Sequence, residues 1–411
     1  MAHDRKGFSR RQFLKTAGAV GVGSLLASPA AARKPEPPGF GQRAAADGKV
    51  PTRPFGKSGR QVSILGLGGM FDIAANQMML RQAVQWGITY WDTASSYHAG
   101  SETGIGRFFD RQPEAREAIF LVTKSRSRDP EGIGQELERS LAKMNTSYID
   151  LYFIHGIRNI NELNDATRRW AEQAKAAGKI RLFGFSTHNS MEACMLDAAR
   201  LDWIDGIMMT YNFRNMQSTR MQEAVAACTE AGIGLTAMKT QAGPSWYDWS
   251  GARPETEALS EQFRQKGWTD GQAKLKAVWD NPRIASLCSQ MDTMRLLKEN
   301  ADAARDSAAL STDEARLLHR YATATASQYC TGCGRICEAA LTAAIPVSDV
   351  MRCHMYSQSY GRPEWAREQF NALPATVRRQ MARADYGEAE RRCPNGMPIG
   401  RLMRQALDDF A

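Results

Sequence analysis

The chain has 411 residues and a hydrophobic content of 43%, which is enough apolar material for a sizeable core and for more than one domain. Its formal net charge is +9, of which residues 1–32 contribute +4. The remainder carries no run of Lys and Arg comparable to a nucleic-acid-binding stripe, so the composition argues against a nucleic-acid partner.

Residues 1–32 have the features of an export signal. Arg10 and Arg11 resemble a twin-arginine motif, and residues 16–32 are weakly apolar, rich in Gly and Ala, and end in small residues. This stretch is too short and too weakly hydrophobic for a stable membrane span. The resemblance implies passage through the twin-arginine (Tat) export machinery to the periplasm, after a cofactor has been inserted. Residues 33–51, rich in Pro, Gly and Ala, are predicted to be a linker.

A repeat follows the linker, in which apolar strand-like segments end on polar residues. The polar residues, in chain order, are Asp92, Lys124, His155, Ser186, Asn212 and Lys239. The first four are separated by 32, 31 and 31 residues, and the last two follow at 26 and 27. About 30 residues is the length of one strand and one crossover helix. The repeat therefore predicts an α/β fold, a (β/α)8 TIM barrel over residues 52–302.

The strand ends of such a barrel converge on one face, and active sites lie there. Asp92, Lys124 and His155 are therefore predicted to meet beside Tyr97. A single polar residue at a strand end is ordinarily structural. Four such residues in register with the repeat favour a shared site.

These segments resemble the aldo-keto reductase superfamily over roughly residues 52–300. The motifs that carry the resemblance are Asp92-Thr-Ala-x-x-Tyr97, Gly100-Ser-Glu102, Thr123-Lys124, Asp150-Leu-Tyr-x-x-His155, Gly184-Phe-Ser-Thr187, Tyr211-Asn212 and Ala237-Met-Lys239. The resemblance implies reduction of a small-molecule aldehyde or ketone. Its general acid would be Tyr97, with Lys124 lowering a phenol pKa that is ordinarily about 10. Asp92 would hold the ammonium in place, and His155 would orient the substrate oxygen.

The same resemblance implies a nicotinamide cofactor, NADP or NAD, that lies across the strand ends. Ser186, Asn212 and Lys239 would line the cofactor side, and Glu299 and Asn300 would lie near the adenine end. The chain has no G-x-G-x-x-G motif, so a Rossmann fold is not indicated.

Two departures from the family pattern leave the choice between NADP and NAD open. Met208 stands where the family usually has Gln to hold the carboxamide. Gln290, Met291 and Leu296 stand where many members have a Lys-Ser pair and an Arg that bind the 2′-phosphate.

Two loop regions bear on the substrate. The loops after the fourth and seventh strands carry aromatic residues and little charge, which indicates an uncharged or apolar carbonyl. The segment 241–279 is longer than usual and contains Trp246, Trp249 and Trp268. It is either a lid over the strand ends or extra packing.

Residues 303–411 are predicted to form a second, helical module, because five of the eight cysteines lie beyond residue 329. The spacing Cys330-x-x-Cys333-x-x-x-Cys337, followed by Cys393-Pro394, resembles a two-motif ferredoxin module that keeps the ligands of one cluster. In such modules the Cys-Pro cysteine of one motif binds the cluster of the other. The resemblance implies one [4Fe–4S] cluster on Cys330, Cys333, Cys337 and Cys393.

Three alternatives remain for this cysteine group. One residue more than the ferredoxin spacing precedes Cys337, and Cys353 could replace it as a ligand. A C-x2-C pair also serves zinc. Disulfides are the third reading, since the periplasm oxidises thiols. The other cysteines, Cys194, Cys228 and Cys288, fit core positions.

The sequence supports two functional hypotheses. The first is an exported NAD(P)-dependent carbonyl reductase with an accessory cluster that is either structural or reduced by a redox partner protein. The second is an exported iron–sulfur electron-transfer or binding protein whose barrel is catalytically degenerate. The four catalytic residues favour the first, and the altered phosphate positions favour the second.

Overall fold

The computed structural model describes residues 48–97, 100–242 and 261–411. The predicted signal segment and most of the predicted linker lie outside these residues. Across the three described stretches, no helix combines the length and the apolar character needed to cross a membrane.

A short hairpin precedes the barrel. Strands β1 (Thr52–Pro54) and β2 (Gln61–Ser63) pair antiparallel. Between them Phe55 is fully buried, and its ring lies 5.2 Å from that of Phe120 inside the barrel. The hairpin therefore closes the end of the barrel at which the strands begin.

Eight parallel strands then close into a barrel, in which the last strand pairs with the first. The strands are β3 (Leu65–Gly68), β4 (Tyr90–Asp92), β5 (Phe120–Ser125), β6 (Ile149–Ile154), β7 (Ile180–Thr187), β8 (Gly206–Thr210), β9 (Gly234–Met238) and β10 (Ser286–Gln290). The predicted barrel is therefore confirmed.

Helices alternate with the barrel strands. They are α1 (Gln77–Gln85), α2 (Ser101–Arg111), α3 (Pro130–Lys143), α4 (Asp165–Ala176), α5 (Met191–Ala198), α6 (Thr219–Glu230), α7 (Asp270–Trp279) and α8 (Met294–Arg305). Local signals explain their ends. Helix α3 begins at Pro130 because the Asp129 carboxylate accepts a hydrogen bond from the Gly132 amide. Helix α4 ends before Gly178, which has the positive φ of +72° that glycine adopts readily.

The C-terminal region is helical. Its helices are α9 (Thr312–Ala324), α10 (Gly334–Cys337), α11 (Val347–His354), α12 (Pro363–Asn371), α13 (Ala375–Arg383), α14 (Gly387–Arg392) and α15 (Ile399–Phe410), with a π-helix at Met355–Ser359. Ser311 and Glu314 form a capping box at the start of α9. The later helices enclose their own apolar core, which includes Val350, Phe370 and Met403. This core is separate from the barrel core.

Strand alternation decides which side chains reach the barrel interior. Phe120 and Val122 belong to the apolar cluster inside the barrel, whereas Leu121 packs against the surrounding helices. The period of two residues therefore turns Lys124 inward, directly above Val122. The same alternation applies to Asp92 above Tyr90.

Candidate active site

A buried ion pair lies at the centre of the barrel mouth. The Lys124 ammonium donates to the Asp92 carboxylate at 2.6 Å and to the Thr93 carbonyl at 2.8 Å. Lys124 is 1% exposed and Asp92 is 3% exposed. Burial raises the pKa of Asp92, and the neighbouring Lys124 partly offsets that effect. Two charges this deeply buried are tolerated because each satisfies the other.

Tyr97 lies against this pair. Its hydroxyl is 3.4 Å from the Lys124 ammonium, and its ring meets that of His155 edge-on, with ring centres 5.9 Å apart. The structure therefore brings together the four side chains predicted to form the catalytic group.

The acidity of Tyr97 differs from the expectation. Burial raises the pKa of Tyr97 well above its ordinary value, and the nearby Asp92 carboxylate raises it further. We expected Lys124 to lower this pKa. The ammonium is already bound closely to Asp92, so it cannot overcome the loss of water around the phenol. Tyr97 is therefore held in its protonated form.

His155 follows strand β6 and is held as a neutral ring. Burial lowers the pKa of His155 well below its usual value, and the cationic Lys124 nearby lowers it further. One ring nitrogen, Nδ1, lies 3.4 Å from the Ser96 hydroxyl. A neutral imidazole in this position offers hydrogen bonds without carrying charge.

Two cavities adjoin the catalytic group. The larger has a volume of about 510 Å³, and the smaller has a volume of about 320 Å³. Met70, Tyr97, Met238 and Lys239 line both of them. His155 faces only the larger cavity and Asp92 only the smaller one. We call the larger the substrate cavity and the smaller the cofactor cavity, after the roles that we propose for them below.

The C-terminal module forms one wall of each cavity. Arg352, Tyr356 and Trp365 line the substrate cavity, and Ser359 and Tyr360 line the cofactor cavity. The Trp365 ring meets the Tyr97 ring at 6.4 Å between centres. Sequence reasoning missed these residues, since nothing in their spacing relates them to the barrel repeat. The aromatic-rich stretch between Cys353 and Cys393 was the available signal.

The predicted lid is only partly described. Trp246 and Trp249 lie outside the described residues. The Trp268 indole nitrogen donates to Asp306 at 3.0 Å, and the Lys276 ammonium lies 4.5 Å from the Trp268 ring centre. Trp268 is therefore a packing residue, and it lines neither cavity.

Of the predicted cofactor residues, Lys239 alone lines the cofactor cavity. Its φ of +55° is strained for a residue other than glycine, which is typical of functional positions. The Ser186 hydroxyl accepts a hydrogen bond from the Gly156 amide at 2.9 Å. Asn212 is fully buried and donates to the Lys239 carbonyl at 3.0 Å and to the Tyr329 hydroxyl at 3.3 Å. Ser186 therefore holds the loop after strand β6 by a hydrogen bond, and Asn212 holds the residue that follows strand β9.

Glu299 and Asn300, the residues predicted to lie near the adenine end of the cofactor, both contact side chains close to them in the sequence. The Asn300 amide donates to the Ser289 hydroxyl at 3.1 Å, and Ser289 lines the cofactor cavity. Glu299 pairs with Arg295 at 2.8 Å, one helical turn away. Lys298 likewise pairs with Asp302. The basic side chains closest to the expected 2′-phosphate position are thus already engaged in ion pairs.

Four cysteines of the module face one another. Cys330, Cys333, Cys337 and Cys393 line a single small cavity. Burial raises the pKa of the Cys330 thiol, and the three neighbouring sulfurs raise it further. Cys353 is among the residues that line the substrate cavity instead. All eight cysteines are free thiols in the structure.

The described residues contain no ready-made site for a single metal ion. Within the described residues, no three His, Cys, Asp or Glu side chains lie close enough together to hold one metal ion. Such a site needs every ligand in contact with the same atom. The described residues therefore place four thiols around one cavity without forming a metal-binding group there.

A parallel barrel with Tyr, Lys, Asp and His at its mouth defines a class of oxidoreductase, and similarity to known proteins identifies the family. Residues 65–324 match the model of the aldo/keto reductase family. The chain therefore belongs to this family. Residues 7–27 match the signal sequence of the twin-arginine translocation pathway. The predicted signal is confirmed, and the chain is exported by this route to the periplasm.

Curated relatives are similar over part of their length. The chain is 30% identical over 211 residues to "Aldo-keto reductase yakc [NADP(+)]" of Schizosaccharomyces pombe, which is 45% of this chain and 59% of that protein. It is 33% identical over 151 residues to "Uncharacterized oxidoreductase YqkF" of Bacillus subtilis, which is 33% of this chain and 48% of that protein. The chain thus spans roughly half of each of these two relatives.

Similarity in structure extends over about two thirds of the chain. Aldo-keto reductase AKR11C1 from Bacillus halodurans, in its holo form, superposes with a TM-score of 0.56 at 22% identity. The match covers 66% of this chain and 96% of that one. The fold is shared, and about a third of this chain has no counterpart in that structure.

Proposed function

We propose that the chain is an NAD(P)H-dependent reductase of a small-molecule aldehyde or ketone, with Tyr97 as the general acid. The observation that carries the proposal is the buried Asp92–Lys124 pair beneath the Tyr97 hydroxyl, at the junction of two cavities. When bound, a reduced nicotinamide supplies hydride to the carbonyl carbon.

The side chains of this chain would then handle the proton. The Tyr97 hydroxyl donates to the carbonyl oxygen and, as charge develops on that oxygen, transfers its proton. The Lys124 ammonium, 3.4 Å from the Tyr97 oxygen, stabilises the phenolate that remains. His155 is neutral and hydrogen-bonds the same substrate oxygen. Asp92 keeps the ammonium in position.

The cofactor cavity supports binding of the nicotinamide portion. Its walls include Gly68 and Gly69, which leave space, and the apolar Met208 and Met238. Lys239 is the cationic side chain that lines this cavity in the described part of the chain. The choice between NADP and NAD is a matter for measurement, since Arg295 and Lys298 are engaged by Glu299 and Asp302.

Fluorescence titration of the purified exported protein with NADPH and NADH tests the proposal. Micromolar or tighter binding of either, with NAD(P)H-dependent loss of an aldehyde, supports a reductase. No detectable binding would leave the second candidate, an electron-transfer or binding protein with a degenerate barrel. The observations that favour this second candidate are Met208 in the cofactor cavity and the absence of a free cation at the phosphate positions Gln290, Met291 and Leu296 among the described residues.

We also propose one [4Fe–4S] cluster held by Cys330, Cys333, Cys337 and Cys393, with a structural role or with electrons supplied by a partner protein. The shared cavity of the four thiols supports it. Anaerobic purification should yield brown protein with about four irons per chain. Cys393→Ser should lose the iron, whereas Cys353→Ser should retain it. Colourless, iron-free protein, or zinc in its place, would contradict the cluster.

A further inference from the structure

The substrate cavity is strongly cationic. Its walls carry five basic side chains, which come from both the barrel and the module: Arg126, Arg128, Arg158, Lys239 and Arg352. Within the described residues, Asp349 is the acidic side chain that lines it. This contrasts with the uncharged cavity expected from the loop sequences. Arg158 follows the fourth barrel strand, and Arg352 comes from helix α11, which has no part in the repeat.

The ion pairs around the cavity do not neutralise these charges. Arg128 pairs with Glu162 at 2.6 Å, outside the cavity lining. Arg158 and Arg352 share the single carboxylate of Asp349, and Arg158 also lies 3.9 Å from Glu338. Three carboxylates therefore face five cations.

Two positions within the cavity remain without an acidic partner. The Arg126 side chain has neither an ion pair nor a hydrogen bond among the described residues. The Lys239 ammonium lies 5.3 Å from the Tyr356 ring centre and has no carboxylate partner in the described chain. In addition, the Nη1 atom of Arg352 is buried and makes no hydrogen bond. Arg126 is exposed to solvent, so the cost of an unpaired charge falls on the buried Nη1 atom of Arg352 and on the half-buried Lys239, where a bound anion would offset it.

The pKa values of the two histidines that line the cavity are lowered by burial and then by the same positive charges. After burial, the cations Lys124 and Arg126 are the next causes that lower the pKa of His155. The pKa of His188 is likewise lowered by burial first and then by Arg352 and Lys239. Both rings therefore stay neutral and do not add to the charge.

We propose that the substrate cavity binds a carbonyl compound that also carries a carboxylate or a phosphate, and that Arg126 and Arg352 bind this anionic group. This inference rests on the proposed function, since Tyr97 and His155 line the same cavity and would act on the carbonyl. Guanidinium groups suit both anions, because their paired N–H groups match two oxygens at once.

Matched pairs of substrates test the inference on the full exported chain. Succinic semialdehyde is compared with butanal, and glyceraldehyde 3-phosphate with glyceraldehyde, by kcat/KM with NADPH. We expect the anionic member of at least one pair to be preferred by tenfold or more, and the pair that shows the preference identifies carboxylate or phosphate. Loss of one charged hydrogen bond in Arg126→Gln or Arg352→Gln should reduce that preference about tenfold.

Arg367→Gln is the matched control, because Arg367 is exposed on helix α12 of the same module and lines neither cavity. It should retain the preference. Equal kcat/KM for charged and neutral members would overturn the inference, as would a preference that survives both arginine variants. If the variants instead weaken NADPH binding and leave substrate preference alone, the arginines bind a cofactor phosphate, which also overturns it.

A separate binding measurement tests the anion site in the case that the protein does not reduce carbonyl compounds. If no carbonyl is reduced, calorimetric titration with inorganic phosphate and with succinate decides the anion site alone. Binding that is lost in Arg126→Gln and Arg352→Gln, but kept in Arg367→Gln, supports the site. No binding of either anion overturns it.

Discussion

The two walls of the substrate cavity are built in different ways. The barrel wall includes His155, which directly follows strand β6, and β6 is hydrogen-bonded to both of its neighbouring strands. The module wall places Arg352 and Trp365 on separate helices with their own core. The barrel thus holds the chemistry on a rigid frame, and an appended module shapes what reaches it.

Hydrogen bonds from the loop after strand β7 contribute to seating the module. The Ser190 amide donates to the Gly332 carbonyl at 2.7 Å, and the Arg335 amide donates to the Ser190 hydroxyl at 3.1 Å. Asn189 donates to Ser348 at 2.5 Å. Ser190 has a φ of +51°, so the barrel loop is strained where the module binds. These bonds link the loop after strand β7 to the cysteine-bearing segment 330–337 and to helix α11.

The largest expected effect comes from the barrel wall. Tyr97→Phe removes the hydroxyl that lies 3.4 Å from the Lys124 ammonium. We expect kcat to fall by about 10²- to 10⁴-fold, which is the contribution typical of a general acid. Steady-state kinetics with fluorescence titration measure this. NADPH binding should change less than threefold, and near-normal turnover would show that the barrel wall does not carry the chemistry.

Gly332→Ala tests how the module is seated. A Cβ atom at Gly332 would lie 2.3 Å from the His188 carbonyl oxygen, and its φ is +83°. We expect a loss of about 1–3 kcal/mol in the free energy of unfolding and easier proteolytic cleavage within the module. Gly361→Ala is the control, because Gly361 has a φ of +61° but no atom within 4 Å of an added Cβ. Equal effects of both changes would mean that the close approach to His188 is unimportant.

Trp365→Leu tests the module wall itself. The change removes the aromatic contact with Tyr97 while keeping an apolar side chain. We expect KM for the carbonyl to rise about three- to tenfold, because such a contact contributes about 1 kcal/mol. The value of kcat should stay within about twofold. A loss in kcat that matches that of Tyr97→Phe would show that the module takes part in the chemistry.

The smallest expected effect is on stability as a function of pH. The folded-state pKa of His155 lies below the ordinary value of about 6.5, because of burial and then Lys124. Below about pH 6.5 the unfolded chain therefore binds a proton that the folded chain does not. The free energy of unfolding should fall by about 1 kcal/mol from this group between pH 6.5 and 5.5, and should not depend on it above pH 7.

Denaturant unfolding at pH 7.5 and at pH 5.5 measures this change in the free energy of unfolding. His155→Gln should reduce the loss of stability at the lower pH. His319→Gln, a change at an exposed side chain of helix α9, serves as the control and should behave as the unmodified protein does. An unchanged pH dependence in His155→Gln would show that this ring is accessible to water.

The sequence alone was sufficient to predict the barrel and the four polar side chains that meet at its mouth. Strand alternation and a period of about 30 residues are local properties of the chain, so they can be counted without coordinates. The same reasoning grouped Cys330, Cys333 and Cys337, because their spacing is short. Assigning Cys393 to that group, and not Cys353, relied on the Cys-Pro resemblance.

Only the tertiary structure decided how the two parts meet. No periodicity relates Arg352 or Trp365 to Tyr97, because these residues belong to elements with independent patterns and more than two hundred positions between them. The cationic character of the cavity arises from that meeting, since Arg352 joins arginines of the barrel loops. The raised pKa of Tyr97 has the same origin, because burial by surrounding residues outweighs the single cation that the sequence identified.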